Sequence, residues 1–73
     1  MTNRLLVVVE PTGNGFGAYA PDLPGCVAAA ASRAETEALM REAVALHLDS
    51  IRASGNPVPV FASEGVIFDV HEP

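Results

Sequence analysis

One long amphipathic helix, predicted from Ser32 to about Ala53, constrains the fold of this chain more than any other feature. The tetrapeptide SRAE at residues 32–35 is a capping box, in which the Ser32 hydroxyl accepts from a backbone N–H and Glu35 reaches back to the Ser32 amide. Gly55 is placed for a left-handed cap, and Pro57 follows it. The chain has 73 residues, so only short elements can flank this helix, and we expect a single domain over residues 1–73.

The apolar face of the helix is wider than packing on one sheet requires. At about 100° per residue it covers an arc of roughly 200°, centred near His47. Leu46 and Leu48 lie at its flanks, and we predict that they form an oligomer interface. On the polar side, Glu37 and Arg41 have the spacing of an i,i+4 ion pair. The apolar arc is made by Leu39, Met40, Ala43, Val44, Leu46, His47, Leu48 and Ile51.

Three strands are predicted before the helix. Residues 4–10 (RLLVVVE) are β-branched and apolar, which indicates a strand buried on both faces. Residues 16–20 (FGAYA) alternate and form the second arm of a hairpin. Residues 26–31 (CVAAAA) are predicted as a third strand despite the helix preference of alanine, because they are short and follow a tight turn.

A fourth strand is predicted after the helix, over Gly65–His71 (GVIFDVH). Its apolar residues alternate, with Val66, Phe68 and Val70 on one face. The resulting order β-β-β-α-β predicts an α+β fold in which one helix packs on a four-stranded mixed sheet.

The glycine-rich segment Gly13–Gly17 (GNGFG) could be taken for a phosphate-binding loop. That fingerprint requires a strand, the loop and then a helix, whereas a second strand follows here. The pattern therefore favours a hairpin turn.

Charge and composition indicate a protein partner. Four arginines and no lysine oppose nine acidic residues, for a formal net charge of −5. Binding to a phosphate backbone needs clustered cations, so we expect no direct nucleic-acid binding and instead a basic protein partner. The apolar fraction of 49% is high for so small a chain and favours a homodimer or tetramer.

A secreted or membrane-bound protein is not indicated. Cys26 is the single cysteine, so no intrachain disulfide is available. The apolar run Leu5–Val9 is too short for a signal peptide or a membrane span. We therefore expect a cytoplasmic protein without membrane association.

No catalytic or cofactor motif is evident. A metal-dependent nuclease would need converging acids; it is the least favoured alternative, because Glu35 already serves the cap. His47 and Cys26 are expected to be core residues, since no spacing matches a zinc site. We predict no enzymatic activity, no metal and no cofactor. The acids considered for a metal cluster were Glu10, Asp22, Glu35 and Asp69.

The segment from Tyr19 to Cys26 (YAPDLPGC) is the most informative. It could be only a rigid connection between strands, but a stiff, proline-fixed loop also loses little entropy on docking. We predict that it binds a partner, through Tyr19, Pro21, Asp22, Leu23, Pro24, Gly25 and Cys26.

This loop and the helix after it resemble the HicB-type antitoxin family. The resemblance includes the run Tyr-x-Pro-Asp-Leu-Pro-Gly-Cys and a helix of the form Ser-Arg-x-Glu followed by Leu-Met-Arg-Glu-Ala-Val-x-Leu-His-Leu-Asp. It implies a partial ribonuclease-H-like fold without a nuclease centre. It also implies a small basic HicA-type toxin, which cleaves mRNA and whose active site the antitoxin masks.

One departure from the family pattern concerns DNA. Many family members carry a C-terminal DNA-binding segment, and none follows the predicted fourth strand here. We therefore expect a minimal form that masks a partner without repressing an operator. The remaining alternative is an orphan oligomeric domain that serves no toxin.

Overall fold

The computed structural model of the protein describes residues 3–72. It contains strands β1 (Val8–Pro11), β2 (Phe16–Tyr19) and β3 (Val27–Ala30), followed by helix α1 (Arg33–Ala53). The strands form a three-stranded antiparallel sheet in the order β1-β2-β3. The protein is therefore α+β, and the predicted order of the first three strands and the helix is confirmed.

The hairpin between β1 and β2 closes tightly. The Thr12 N–H donates to the Gly15 carbonyl at 2.8 Å. A Cβ on Gly15 would collide with the carbonyl oxygen of Ala30 on β3, so only glycine fits where the turn crosses this neighbour. The glycine-rich segment is thus a hairpin turn, as predicted.

Strand β1 is shorter than the predicted residues 4–10, because its partner ends early. Val8 pairs with Tyr19, the last residue of β2, and the chain then turns at Pro21. Residues 5–7 therefore have no neighbouring strand to pair with on the β2 side. Residues 5–9 are half-buried, so the expectation of burial on both faces is wrong.

Helix α1 begins and ends where the caps predict. The Ser32 hydroxyl accepts from the Glu35 N–H at 3.1 Å, while the Glu35 carboxylate accepts from that hydroxyl at 2.9 Å and not from the backbone amide. At the other end, Gly55 has φ +79° and donates its N–H to the Arg52 carbonyl.

The ion pair predicted between Glu37 and Arg41 is wrong. Glu37 pairs instead with Arg33, with 3.2 Å between Oε2 and Nε. Arg33 and Arg41 are each four residues from Glu37, so the sequence spacing alone could not decide which of them forms the ion pair.

The core lies between α1 and one face of the sheet. The helix packs mainly over β3 and β2 and only lightly over β1. Small residues on the strands let it approach closely, and Thr36 is fully buried with its hydroxyl donating to the Ser32 and Phe16 carbonyls. The buried apolar residues are Ala18, Ala20, Leu23, Cys26 and Met40.

The sheet of the described residues has three antiparallel strands, and the structure does not show the fourth strand predicted over residues 65–71. Residues 56–72 have neither helix nor strand. Ile67 is 96% exposed and Phe68 78%. Alternation is a local property, whereas a strand needs a hydrogen-bonded neighbour, and this segment has none in the part of the chain described.

Candidate partner-binding surface

The loop from Tyr19 to Cys26 is held by two successive turns. The Leu23 N–H donates to the Ala20 carbonyl at 3.1 Å, and the Cys26 N–H donates to the Leu23 carbonyl at 3.2 Å. Gly25 has φ +84°, a conformation that other residues adopt at a cost. The loop therefore has one fixed shape that Gly25 makes possible.

Half of this loop faces inward. Ala20, Leu23 and Cys26 are buried in the core under α1, and Leu23 is fully enclosed. Burial raises the pKa of the Cys26 thiol, because desolvation disfavours the thiolate. These side chains anchor the loop and present no surface to a partner in this structure.

The other half faces solvent. Pro21, Pro24 and Gly25 are exposed, and Tyr19 is 43% exposed. In the sheet register Tyr19 lies directly between Val8 and Val27, so the three share the face of the sheet away from α1. Val27 is 65% exposed. We call this surface, Tyr19, Pro21 and Pro24 with Val8 and Val27, the loop face.

Asp22 does not project toward solvent as a free recognition acid. Its carboxylate accepts from the Ala62 N–H at 2.8 Å, the Ser63 N–H at 2.6 Å and the Ser63 hydroxyl at 2.7 Å. The hydrogen bonds from Ser63, backbone first and then side chain, lower the pKa of Asp22 below its usual 3.8. Asp22 thus ties the C-terminal segment to the loop. The sequence carries no signal for this contact, since its partners lie 40 and 41 residues away.

The helix residues predicted for an oligomer interface differ in exposure. Leu46 is 70% exposed, whereas Leu48 is half-buried and packs against the core. His47 between them lies close to the loop: a Cβ on Gly25 would be 3.7 Å from its Cε1. Leu46 is thus the freer of the two to meet another molecule.

The four acids considered for a metal cluster are dispersed in the structure. Glu35 is engaged with Ser32 at the helix start, and Asp22 with Ser63. Glu10 lies on β1, and Asp69 on the exposed C-terminal segment. Within residues 3–72, no three His, Cys, Asp or Glu side chains come together in a way that could hold a metal ion.

Negative charge is concentrated toward the C-terminus. After Arg52 the chain has no further lysine or arginine, while Glu64, Asp69 and Glu72 follow. These three acids account for −3 of the formal charge of −5.

No helix within residues 3–72 combines the length and apolarity needed to cross a membrane.

The fold and the loop face together define a small acidic α+β protein with a rigid, partly apolar exposed loop. A sequence model described as HicB_like antitoxin of bacterial toxin-antitoxin system matches residues 5–69. The chain belongs to this family of HicB-like antitoxins. It matches no curated protein and no solved structure. The family indicates a toxin–antitoxin role, with a toxin as partner and a function other than catalysis.

Proposed function

We propose that the protein is an antitoxin that neutralises a small basic, mRNA-cleaving toxin of the HicA type by covering its active site in the cytoplasm. The observation that carries this proposal is the loop face: an exposed loop, fixed by two turns and continuous with exposed apolar residues of the sheet. Family membership supports the kind of partner.

The rigidity of the loop favours binding. Because the turns and the buried Leu23 set its shape before any partner arrives, little conformational entropy is lost on docking. Tyr19 combines a large apolar ring with a hydroxyl, a combination enriched at protein interfaces. In this proposal Tyr19, Pro21 and Pro24 contact the toxin, while Asp22, Leu23, Gly25 and Cys26 shape the loop.

The charge of the protein favours a basic partner and disfavours nucleic acid. A net charge of −5 speeds encounter with a cationic toxin and repels RNA and DNA. Masking therefore acts on the toxin and not on its substrate, and this chain binds no operator itself.

Two further features are part of the same proposal. One is self-association, for which Leu46, 70% exposed, and the half-buried Leu48 are the helix residues proposed to make contact. The other is the four-stranded, partial ribonuclease-H-like sheet, which requires residues 65–71 to pair with a strand.

Co-expression with a small basic protein encoded beside the gene tests the proposal. We expect the wild type to relieve the growth arrest caused by that protein and Tyr19→Asp to fail, because a charge would be placed in the centre of the loop face. Val60→Asp is the matched control, since Val60 is 83% exposed and lies outside this surface.

Two results would contradict the proposal. Growth arrest that persists with the wild type would show that the protein does not neutralise this toxin, in favour of the orphan domain. Equal rescue by Tyr19→Asp and Val60→Asp, with both proteins folded, would place the contact elsewhere.

A further inference from the structure

An open apolar groove lies beside β1, under the edge of α1. It encloses about 370 Å³ and is lined on the sheet side by Leu5, Val7 and Val9. On the helix side Met40 and Val44 are the apolar lining, and the charged Arg33, Glu37 and Arg41 line it as well. The groove exists because α1 packs mainly over β2 and β3 and only lightly over β1. We call it the β1 groove.

The free edge of β1 is only partly guarded. Among the described residues this strand pairs only with β2, so its other edge carries unpaired backbone N–H and C=O groups. Glu10 and Pro11 guard the end of the strand, and residues 61–66 of the same chain line a pocket together with residues 3–6, so the unguarded apolar stretch is residues 7–9. Sheets normally guard such edges with charges, prolines or a covering segment, because a bare apolar edge pairs with another strand.

The segment of residues 66–70, which we call the C-terminal arm, has the alternating pattern of a strand but pairs with no strand among the described residues. Val66 is 76% exposed, and Phe68 and Val70 are each 78% exposed. These three side chains share one face if the segment is extended, with Ile67 and Asp69 on the other. That face matches the apolar lining of the β1 groove in chemistry.

The arm leaves the body from a fixed point beside Leu6, which precedes β1. Asp22 holds Ala62 and Ser63, and a Cβ on Gly65 would be 3.4 Å from the Leu6 side chain beside β1. Pro57 and Pro59 stiffen the connection from the helix.

Beyond Gly65 the apolar side chains are largely exposed, and Ile67 reaches 96%.

We propose that the C-terminal arm of one copy lies in the β1 groove of a second copy, and that the second copy returns the same contact. Each sheet then gains a fourth strand, and Val66, Phe68 and Val70 fill the groove. The occupant is a second copy because the apolar side chains of the arm are exposed on their own chain, and reciprocal exchange buries both arms with one symmetric contact. The inference does not depend on the toxin.

Light scattering on the full chain after size exclusion tests the assembly. We expect a mass twice that of the chain for the wild type and a halved mass for Phe68→Glu, because a charge would enter the groove. Val44→Glu, changed on the groove side, should also halve the mass. Ile67→Glu is the matched control and should remain dimeric, since Ile67 faces away from the groove.

A wild-type protein of monomeric mass, or a Phe68→Glu dimer, would overturn the proposal. The variant Leu46→Ser distinguishes arm exchange from a dimer held by α1. Retention of the dimer in this variant supports exchange, and loss of the dimer shows that α1 holds the copies together. Far-UV circular dichroism checks that each variant keeps its helix.

Mixed isotope labelling distinguishes an arm bound in the groove of a second copy from an arm bound in the groove of its own chain. In a sample that combines ¹³C-labelled and unlabelled copies, we expect intermolecular nuclear Overhauser effects from the Phe68 ring to methyl groups of Val7, Met40 or Val44. Contacts seen only within one copy, or none at all, would overturn the proposal.

Discussion

At the scale of single residues, Asp22 connects two parts of the chain that the sequence separates widely. Its carboxylate holds the Ala62 and Ser63 amides and the Ser63 hydroxyl. The same contact fixes where the C-terminal segment leaves the body. The residue therefore acts as a structural link next to the loop face.

The Asp22 contact should weaken in acid. Because the pKa of Asp22 is lowered by folding, its contribution to stability is present above the usual value of 3.8 and is lost as pH falls through the lower, folded pKa. We expect the Ala62 and Ser63 amide resonances to titrate together with a midpoint below 3.8. In Asp22→Asn this titration should vanish. A midpoint at or above 3.8 in the wild type would show that the contact does not form.

Substitution of Gly25 should destabilise the protein because of the backbone conformation at this position and not because of a steric clash. A Cβ there would meet only His47, at an ordinary contact distance of 3.7 Å, but φ is +84°. Gly25→Ala should therefore cost about 1–2 kcal/mol in chemical denaturation. Gly13→Ala is the control, since its Cβ would meet nothing within 4 Å and its φ is not positive. Equal stability of the two variants would refute the left-handed assignment.

Residue-level prediction from sequence succeeded where the cause is local. The left-handed Gly55 follows from cap chemistry within a few residues. The partners of Asp22 follow from tertiary packing and could not be found that way. The exposed loop was predicted as a whole, but which of its side chains turn inward is decided by α1 packing over them.

At the scale of secondary structure, α1 is the element that the sequence specifies most completely. The Ser32 cap, the apolar face and the Gly55 stop agree with one another, and all three are confirmed. Strand β3 was also predicted correctly. It forms although it is mostly alanine, because pairing with β2 overrides the helix propensity of that residue.

Removal of the cap should destabilise this helix. Ser32→Ala loses the acceptor for the Glu35 N–H and should lower the free energy of unfolding by about 1 kcal/mol. This corresponds to a fall of about 4–8 °C in melting temperature for a domain of this size. Ser50→Ala, at an exposed position inside the helix, should leave stability unchanged or slightly higher. An unchanged melting temperature for Ser32→Ala would mean that the hydroxyl does not cap α1.

The C-terminal segment shows where element-level prediction stops. Residues 65–71 have the alternation of a strand, yet they pair with no strand among the described residues. Sequence pattern identifies a segment able to form a strand. Whether it pairs, and with which chain, depends on geometry that the pattern does not contain.

At the scale of the whole molecule, the distribution of charge and apolar surface indicates association. The loop face and the β1 groove lie on opposite faces of the sheet and adjoin at β1, where Val8 belongs to the loop face and Val7 and Val9 line the groove. Acidic residues in the tail, Glu64, Asp69 and Glu72, add long-range attraction for a cationic partner.

Inhibition of the purified toxin by the purified protein tests the central claim most directly. With an RNA substrate in excess, we expect cleavage to fall in proportion to added protein and to stop at a fixed stoichiometry. Tyr19→Asp should require a large excess, whereas Val60→Asp should behave as the wild type. Undiminished cleavage at saturating wild-type protein would contradict the assignment of this chain as an antitoxin that masks its toxin.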